Sequence, residues 1–194
     1  ALRPETKVIY LETPSNPLLA VTDLEAVGKL ARSRGITTLI DNTFASPVNQ
    51  NPADFGIDVI IHSATKYMGG HSDICAGAVA GSEAHIDRIF QLAKNLGGSL
   101  SDFTVWLLER SLKTMGLRVR AQNENALALA RFLTAHPQVE KVHYPGLENH
   151  PSHATAKRQM RGFGGMLSFE ASAGVDMKTF LESLQLVKAS MSLA

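Results

Sequence analysis

The sequence predicts an α/β fold in which helices flank a mostly parallel sheet, followed by the start of a smaller α+β domain. Residues 7–40 have the patterns of strand, loop, helix and strand, which together form the repeating unit of parallel sheets. Two further apolar runs, at 58–61 and 76–80, extend the sheet. The last third of the chain instead combines helical spacing with short strands and with loops that contain Pro and His. We therefore divide the chain into domains at 1–122 and 123–194.

The first strand is predicted at 7–11, a short run of β-branched and aromatic residues. The two prolines within 12–17 exclude a continuing helix. A helix with apolar residues on one face begins at 22–25 and ends at Gly35, which is the predicted C-terminal cap. The continuously apolar run at 36–40 is typical of a parallel strand that helices cover on both faces.

The remaining elements follow from the same patterns. Residues 58–61 and 76–80 are predicted as buried strands. Apolar residues spaced by three and four predict helices at 82–95 and 101–134, separated by a pair of glycines. Shorter patterns predict three more elements, namely strands at 139–142 and 164–169 and a helix at 175–184.

Composition and charge exclude several classes of protein. The chain is 44% hydrophobic and 19% charged, which favours a globular fold over disorder or a coiled coil. Its 19 basic and 18 acidic residues are scattered and leave a formal charge of +1, so we expect no nucleic-acid partner. Cys75 is the only cysteine, which excludes an intramolecular disulfide and suits a reducing compartment. No apolar run approaches the roughly 20 residues of a membrane span, so we expect a cytoplasmic protein without a membrane partner.

Residues able to do chemistry follow two of the predicted strands. Asp41 comes directly after the run at 36–40, and Ser63, Thr65 and Lys66 follow the next buried strand. Ligands of such sheets bind at the carboxyl ends of strands. Taken singly, Asp41 fits a turn or helix cap and Lys66 fits a solvated charge. Together they fit pyridoxal phosphate, because a carboxylate keeps a pyridine nitrogen protonated, hydroxyls bind phosphate and an amine forms a Schiff base with an aldehyde.

Three segments resemble a known enzyme family: ETPSNP at 12–17, DNTFASP at 41–47 and IHSATKYMGGH at 61–71. In order and spacing they are similar to the pyridoxal-phosphate enzymes of Cys/Met metabolism. That family includes cystathionine γ-synthase, cystathionine β- and γ-lyases and methionine γ-lyase. The similarity continues through LKTMGLR at 112–118 and VHYPGL at 142–147, so it covers essentially the whole chain. It implies a fold-type I, aspartate-aminotransferase-like large domain with pyridoxal 5'-phosphate as the cofactor.

The resemblance also implies roles for six residues. Lys66 would hold the cofactor as a Schiff base and then carry the substrate proton, and Asp41 would pair with the pyridinium nitrogen. The other four would contact the cofactor, with Asn16 at its phenolic oxygen, Thr43 at its ring, and Ser63 and Thr65 at its phosphate. For Asn16 the plain alternative is a turn, because Asn-Pro is a good turn sequence.

The implied activity is elimination or γ-replacement on a sulfur amino acid, of the cystathionine γ-lyase or γ-synthase type. The substrate would be cystathionine, a homoserine ester, homocysteine or methionine. Cystathionine β-lyase and methionine γ-lyase are alternatives, because the sequence departs from the family pattern at two positions. Ser111 follows Arg110 where the family usually has Gly, and Met191 stands where γ-lyases and γ-synthases commonly have Glu. An inactive binding domain and a fold-type I aminotransferase are rival hypotheses.

We expect the chain to be part of a longer protein, since Ala1 is not an initiator Met and no cap follows the last residues. By the resemblance, the arginine for the substrate carboxylate and the main phosphate loop fall outside it, so the isolated fragment is expected to be inactive. Family members complete the site with residues of a neighbouring subunit, which implies a homo-oligomer, specifically a tetramer. We expect no metal, because His136, His143, His150 and His153 lack the spacing of a helical ligand pair.

Overall fold

The computed structural model describes residues 2–187 and 190, so Met191 lies outside the described residues. In chain order the elements are β1 (Val8–Glu12), α1 (Leu24–Arg34), β2 (Thr37–Asp41), α2 (Ser46–Asn49), β3 (Val59–Ser63), β4 (Gly77–Gly81), α3 (Glu83–Leu96), α4 (Asp102–Thr134), β5 (Val139–His143), α5 (His153–Gln159), β6 (Ser168–Ala171) and α6 (Met177–Ser183). A 3-10 turn at Pro52–Phe55 lies between α2 and β3.

The first four strands form one sheet in the order β1-β2-β3-β4. β1 and β2 are parallel, β2 and β3 are parallel, and β4 is antiparallel to β3. This confirms the predicted α/β fold with a mostly parallel sheet. Because Asp41 pairs with Glu12 on one side and with Ile61 on the other, the carboxyl ends of three strands lie at one edge.

Helix α1 forms where the sequence supplies a cap at each end. The Asp23 carboxylate accepts a hydrogen bond from the Ala26 N–H, and Gly35 ends the helix with a left-handed φ of 61°. Both features agree with the predicted helix. Leu24 packs in a buried cluster with Ile40 of β2, and burying such a side chain contributes about 1.5–3 kcal/mol. This contact holds α1 against the sheet that carries the strand ends.

The elements from α4 to α6 form a second unit, which is built on α4, a helix of 33 residues. Ala126 and Ala130 of α4 lie in a buried cluster with Val142 and Tyr144. The strand that contains Val142, β5, pairs antiparallel with β6. Helix α4 continues through residue 122 without interruption, and the domain boundary assigned there stays a prediction.

Two predicted strands differ from the structure. Residues 76–80 were expected to be buried, but β4 is mostly exposed, with 42% of Val79 accessible. The reason is that β4 is the edge strand of the described sheet, and an apolar run does not reveal what covers it. The prediction of one strand at 164–169 is also wrong, since β6 begins only at Ser168. Gly164 has a φ of 93°, which lies outside the strand region, so the chain turns there first.

The longer predicted helices are confirmed, with ends that shift by one or two residues in α3, α4 and α6. The short helices α2 and α5 were not predicted, because α2 has only four residues and α5 has only two alanines to mark an apolar face. In the described part of the chain, no helix is both long and apolar enough to span a membrane.

Candidate active site

Three predicted site residues meet where β2 and β3 end. Asp41 is the last residue of β2 and Ser63 is the last residue of β3. The hydroxyl of Thr43, a buried residue, accepts the backbone N–H of Ser63 at 2.8 Å. Next to it, the Asn42 N–H donates to the Ile61 carbonyl at 2.9 Å. These bonds attach the segment after β2 to β3 and so bring Asp41, Thr43 and Ser63 together.

The Asp41 carboxylate is oriented by the backbone that follows it. Its Oδ1 accepts the Thr43 N–H at 2.9 Å, which is the hydrogen bond of an Asx turn. The turn and the site interpretation of Asp41 are therefore compatible, because the turn uses one carboxylate oxygen. His62 is buried close by, and burial lowers the pKa of His62 while the charge of Asp41 opposes that shift. His62 is thus neutral at pH 7 and does not neutralise Asp41.

Lys66 lies in a tight turn at 64–70, directly after β3. The Lys66 N–H donates to the Ser63 carbonyl at 3.0 Å, and the Gly70 N–H donates to the Lys66 carbonyl at 2.6 Å. The Lys66 side chain is half-buried. Lys66 thus follows the end of β3, the strand that pairs with the strand ending at Asp41.

Thr65 is held by backbone contacts with the residue before β4. Its hydroxyl donates to the Ala76 carbonyl at 3.2 Å and accepts the Ala76 N–H at 3.0 Å. A third bond runs from the Thr65 N–H to the same carbonyl at 3.1 Å. The Thr65 hydroxyl proton is therefore engaged within the protein. The predicted phosphate contact of Thr65 stays a prediction.

Asn16 lies at the same edge of the sheet but on its surface. It follows β1, whose last residue Glu12 pairs with Asp41. The Asn16 N–H donates to the Glu12 carboxylate at 3.2 Å, and the residue is exposed. Residues 16–18 form a turn, as the alternative interpretation of Asn16 expects. The predicted contact with a phenolic oxygen stays a prediction.

A buried network of amide side chains lies behind the end of β2. The Gln50 amide donates to Asn42 Oδ1 at 2.8 Å, and Asn42 Nδ2 donates to the Gln50 carbonyl at 3.0 Å. Gln159 of α5 donates to Gln50 Oε1 at 3.0 Å and accepts the Leu24 N–H at 3.2 Å. The network joins the residue after Asp41 to α1 and to the second unit. Sequence reasoning missed it, because an isolated glutamine carries no signal of its partner.

The histidines expected in loops have structural partners, and two of them, His143 and His153, lie in β5 and α5. His143 Nε2 lies 2.6 Å from Glu170 Oε1, and His153 Nδ1 lies 2.8 Å from the Pro145 carbonyl. His150 is buried, and burial lowers the pKa of its ring. Among residues 2–187 and 190, no group of three or more His, Cys, Asp or Glu side chains is placed to hold a metal.

The chain is similar to known proteins of one family. A family profile described as Cys/Met metabolism PLP-dependent enzyme matches residues 1–194. The chain belongs to this family. A probable cystathionine gamma-synthase of Herpetosiphon aurantiacus is 48% identical over 177 residues, which are 91% of this chain and 56% of that protein. The cystathionine gamma-lyase of Bacillus subtilis (strain 168) is 44% identical over 194 residues, which are 100% of this chain and 51% of that protein.

Solved structures of family members share the fold. A cystathionine gamma-lyase from Lactobacillus plantarum, complexed with L-serine, has a TM-score of 0.97 and 45% identity, covering 100% of this chain and 51% of that one. A cystathionine gamma synthase from Xanthomonas oryzae pv. oryzae, in complex with cystathionine, has a TM-score of 0.93 and 44% identity, covering 96% and 49%. The predicted fold class is thereby confirmed. The chain spans about half the length of the curated relatives it matches.

The residues of this family member fit pyridoxal phosphate in their chemistry. Asp41 supplies a carboxylate that the backbone orients and that His62 does not neutralise. Ser63 supplies a hydroxyl at the neighbouring strand end, and Lys66 supplies an amine from the turn that follows. These are the groups that the ring nitrogen, phosphate and aldehyde of the cofactor need.

Proposed function

We propose that the protein is a pyridoxal-phosphate enzyme that carries out elimination or γ-replacement on a sulfur amino acid, of the cystathionine γ-lyase or γ-synthase type. The observation that carries the proposal is the joining of Asp41 and the Lys66 turn at adjacent strand ends through the bond from Ser63 to Thr43. The residues that would hold the cofactor are Lys66, Asp41, Ser63, Thr65, Asn16 and Thr43.

When bound, pyridoxal phosphate supplies an electron sink for the charge that develops at the substrate Cα. Lys66 Nζ would hold the cofactor aldehyde and would take the proton from the substrate Cα. Asp41 would keep the ring nitrogen protonated, because a carboxylate stabilises a neighbouring positive charge. Ser63 would hold the phosphate at the end of β3, and Thr43 would keep β2 and β3 at a fixed separation beneath the ring.

The type of reaction rests on the relatives rather than on the geometry. Relatives at 44–48% identity include proteins named cystathionine gamma-synthase, gamma-lyase and beta-lyase. Each of these reactions needs a bound cofactor and the removal of a proton, which are the roles proposed for Asp41 and Lys66. We propose the γ-type with cystathionine, a homoserine ester or homocysteine as substrate, and β-cleavage or methionine γ-cleavage as the alternatives to be assayed.

The proposal includes a homo-oligomer and a cytoplasmic location. Large apolar side chains are exposed along α3 and at the start of α4, namely Phe90, Leu96, Phe103 and Trp106. Surfaces of this kind are usually covered by another part of the protein or by a partner. We propose that a second subunit covers part of this surface, and light scattering of the full-length protein distinguishes a monomer from a tetramer.

The first experiment is a visible spectrum of the full-length protein with added pyridoxal phosphate, before and after borohydride reduction, with peptide mapping. We expect a visible band and a reduced adduct on Lys66. Lys66→Ala removes both, whereas Lys94→Ala, an exposed lysine of α3, retains them as the matched control. Absence of an adduct on Lys66 in the folded wild-type oligomer contradicts the proposal and favours a binding domain.

Substrate assays then separate the reaction types. We expect release of cysteine and ammonia from cystathionine or of sulfide and ammonia from homocysteine, or thioether formation from a homoserine ester and cysteine. Release of homocysteine from cystathionine identifies the β-lyase alternative. Release of methanethiol from methionine identifies the methionine γ-lyase alternative. A keto acid formed without thiol or ammonia identifies the aminotransferase alternative.

A further inference from the structure

Arg118 of α4 binds the backbone of the turn that carries Lys66. Its Nη1 donates to the Tyr67 carbonyl at 2.9 Å, and its Nη2 donates to the Met68 carbonyl at 3.4 Å. The same guanidinium is held on α4, where Nη2 also donates to the Ser111 carbonyl at 3.0 Å. One side chain therefore joins the two residues after Lys66 to a helix that is distant in the sequence.

The rest of α4 holds the guanidinium in this position. Nε of Arg118 donates to the Thr114 hydroxyl at 3.1 Å, and that hydroxyl donates to the Ser111 carbonyl at 3.2 Å. Burial lowers the pKa of Arg118, yet a guanidinium stays charged at neutral pH. Within the described residues its hydrogen-bond partners are neutral oxygens, so its position serves the backbone geometry rather than an ion pair.

Gly70 leaves the space that Arg118 occupies. It has a left-handed φ of 69°, and a Cβ added at Gly70 would overlap Nη1 of Arg118. The Gly70 N–H closes the turn by donating to the Lys66 carbonyl at 2.6 Å. The turn and the guanidinium thus fit together only when residue 70 lacks a side chain.

We propose that Arg118 is a positioning residue, which fixes the turn at 64–70 so that the Lys66 amine meets the cofactor aldehyde in the reactive orientation. The inference deepens the proposed function and rests on it. Misplacing a reacting group by about 1 Å can cost a hundredfold in rate. Lysine at position 118 keeps the charge but lacks the planar fork that reaches several carbonyls at once.

The test compares Arg118→Lys with wild type in the full-length protein stripped of cofactor. The first measurement is the rate at which added pyridoxal phosphate forms a borohydride-trappable adduct on Lys66. We expect Arg118→Lys to slow this rate by about tenfold or more. The second measurement is hydrogen exchange in the turn, which we expect to accelerate about tenfold at Gly69 and Gly70 without acceleration in the β-sheet.

Arg131→Lys is the matched control, because Arg131 is an exposed arginine in the last turn of α4. It should leave the adduct rate and the exchange of the turn unchanged. Thr114→Val is the second variant, because it removes an exposed anchor of Arg118 without touching the turn. We expect it to slow adduct formation about threefold, in line with the loss of one hydrogen bond.

The outcomes separate the inference from the proposed function. A slow adduct with local acceleration of exchange supports the positioning role. A wild-type adduct rate in folded Arg118→Lys overturns it, and if that variant does not fold, a wild-type rate in Thr114→Val does so. If wild type forms no adduct on Lys66, the proposed function fails. In that case, unchanged amide hydrogen exchange of the turn in Arg118→Lys would also reject the contact between α4 and the turn.

Discussion

Replacing Gly70 with alanine should destabilise the protein more than the same change at another left-handed glycine. A Cβ in the left-handed region costs about 1–2 kcal/mol. At Gly70 the new Cβ also overlaps the Arg118 guanidinium, which is the mobile end of a side chain and will swing out. That movement breaks its bonds to the carbonyls of Tyr67 and Met68. Bonds from a charged donor contribute about 1.5–3 kcal/mol each, and partial exposure reduces this, so we expect about 3 kcal/mol in total.

Gly35→Ala and Gly97→Ala are the matched controls. Both glycines have a left-handed φ, 61° and 76°, and a Cβ at either would have nothing within 4 Å. Alanine at either control position adds only the backbone strain, which costs about 1–2 kcal/mol. All three substitutions gain the same stability from a less flexible unfolded chain. The assay is urea unfolding of each full-length variant, followed by circular dichroism. If Gly70→Ala is no more destabilising than the controls, or keeps its excess in an Arg118→Met background, the reasoning is refuted.

Three further predictions concern α1 and the sheet. Gly28→Ala should lower the free energy of unfolding by about 1–3 kcal/mol, because the added Cβ overlaps the rigid Phe55 carbonyl; an unchanged urea midpoint would contradict this. Thr43→Val should cost about 1–3 kcal/mol and weaken cofactor binding, because it removes the acceptor of the Ser63 N–H; isothermal titration with pyridoxal phosphate measures the second effect. Burial lowers the pKa of His62 from its ordinary 6.5, so on acidification the unfolded state binds a proton before the folded state does. The free energy of unfolding should therefore fall as the pH drops below that value. Urea midpoints measured between about pH 8 and about pH 5 check this, and His62→Gln should flatten the dependence.

The elements of the sheet could be predicted because their signals are local. The apolar run at 36–40 and the caps Asp23 and Gly35 lie within the residues they organise, and the structure forms β2 and α1 there. Burial was harder to predict, as β4 shows, because it depends on which other segments cover a strand. The late start of β6 was missed for a related reason, since Met166 and Leu167 extend its apolar pattern without showing where strand pairing begins.

The location of the candidate site could be predicted, because it follows from the pairing of parallel strands. Once β2 and β3 are known to be parallel neighbours, Asp41 and Lys66 must lie near the same edge. The contacts that hold them come from elsewhere in the chain. Arg118 of α4 binds the Lys66 turn, and Gln159 of α5 binds Gln50 in the network behind Asp41. A single polar residue in a helical pattern does not show which distant group it will bind.

Helix α4 links these distant contacts. One part of it binds the Lys66 turn through Arg118, and one turn further along Asn123 exchanges amide hydrogen bonds with Asn49 at 2.8 and 3.0 Å. Beyond that, Ala130 is packed in the core of the second unit. A linker between independent domains is exposed and makes few contacts, whereas α4 contacts both units along its length. Substitutions that tilt α4 in the second unit should therefore change the position of the Lys66 turn, although they touch no residue of the site.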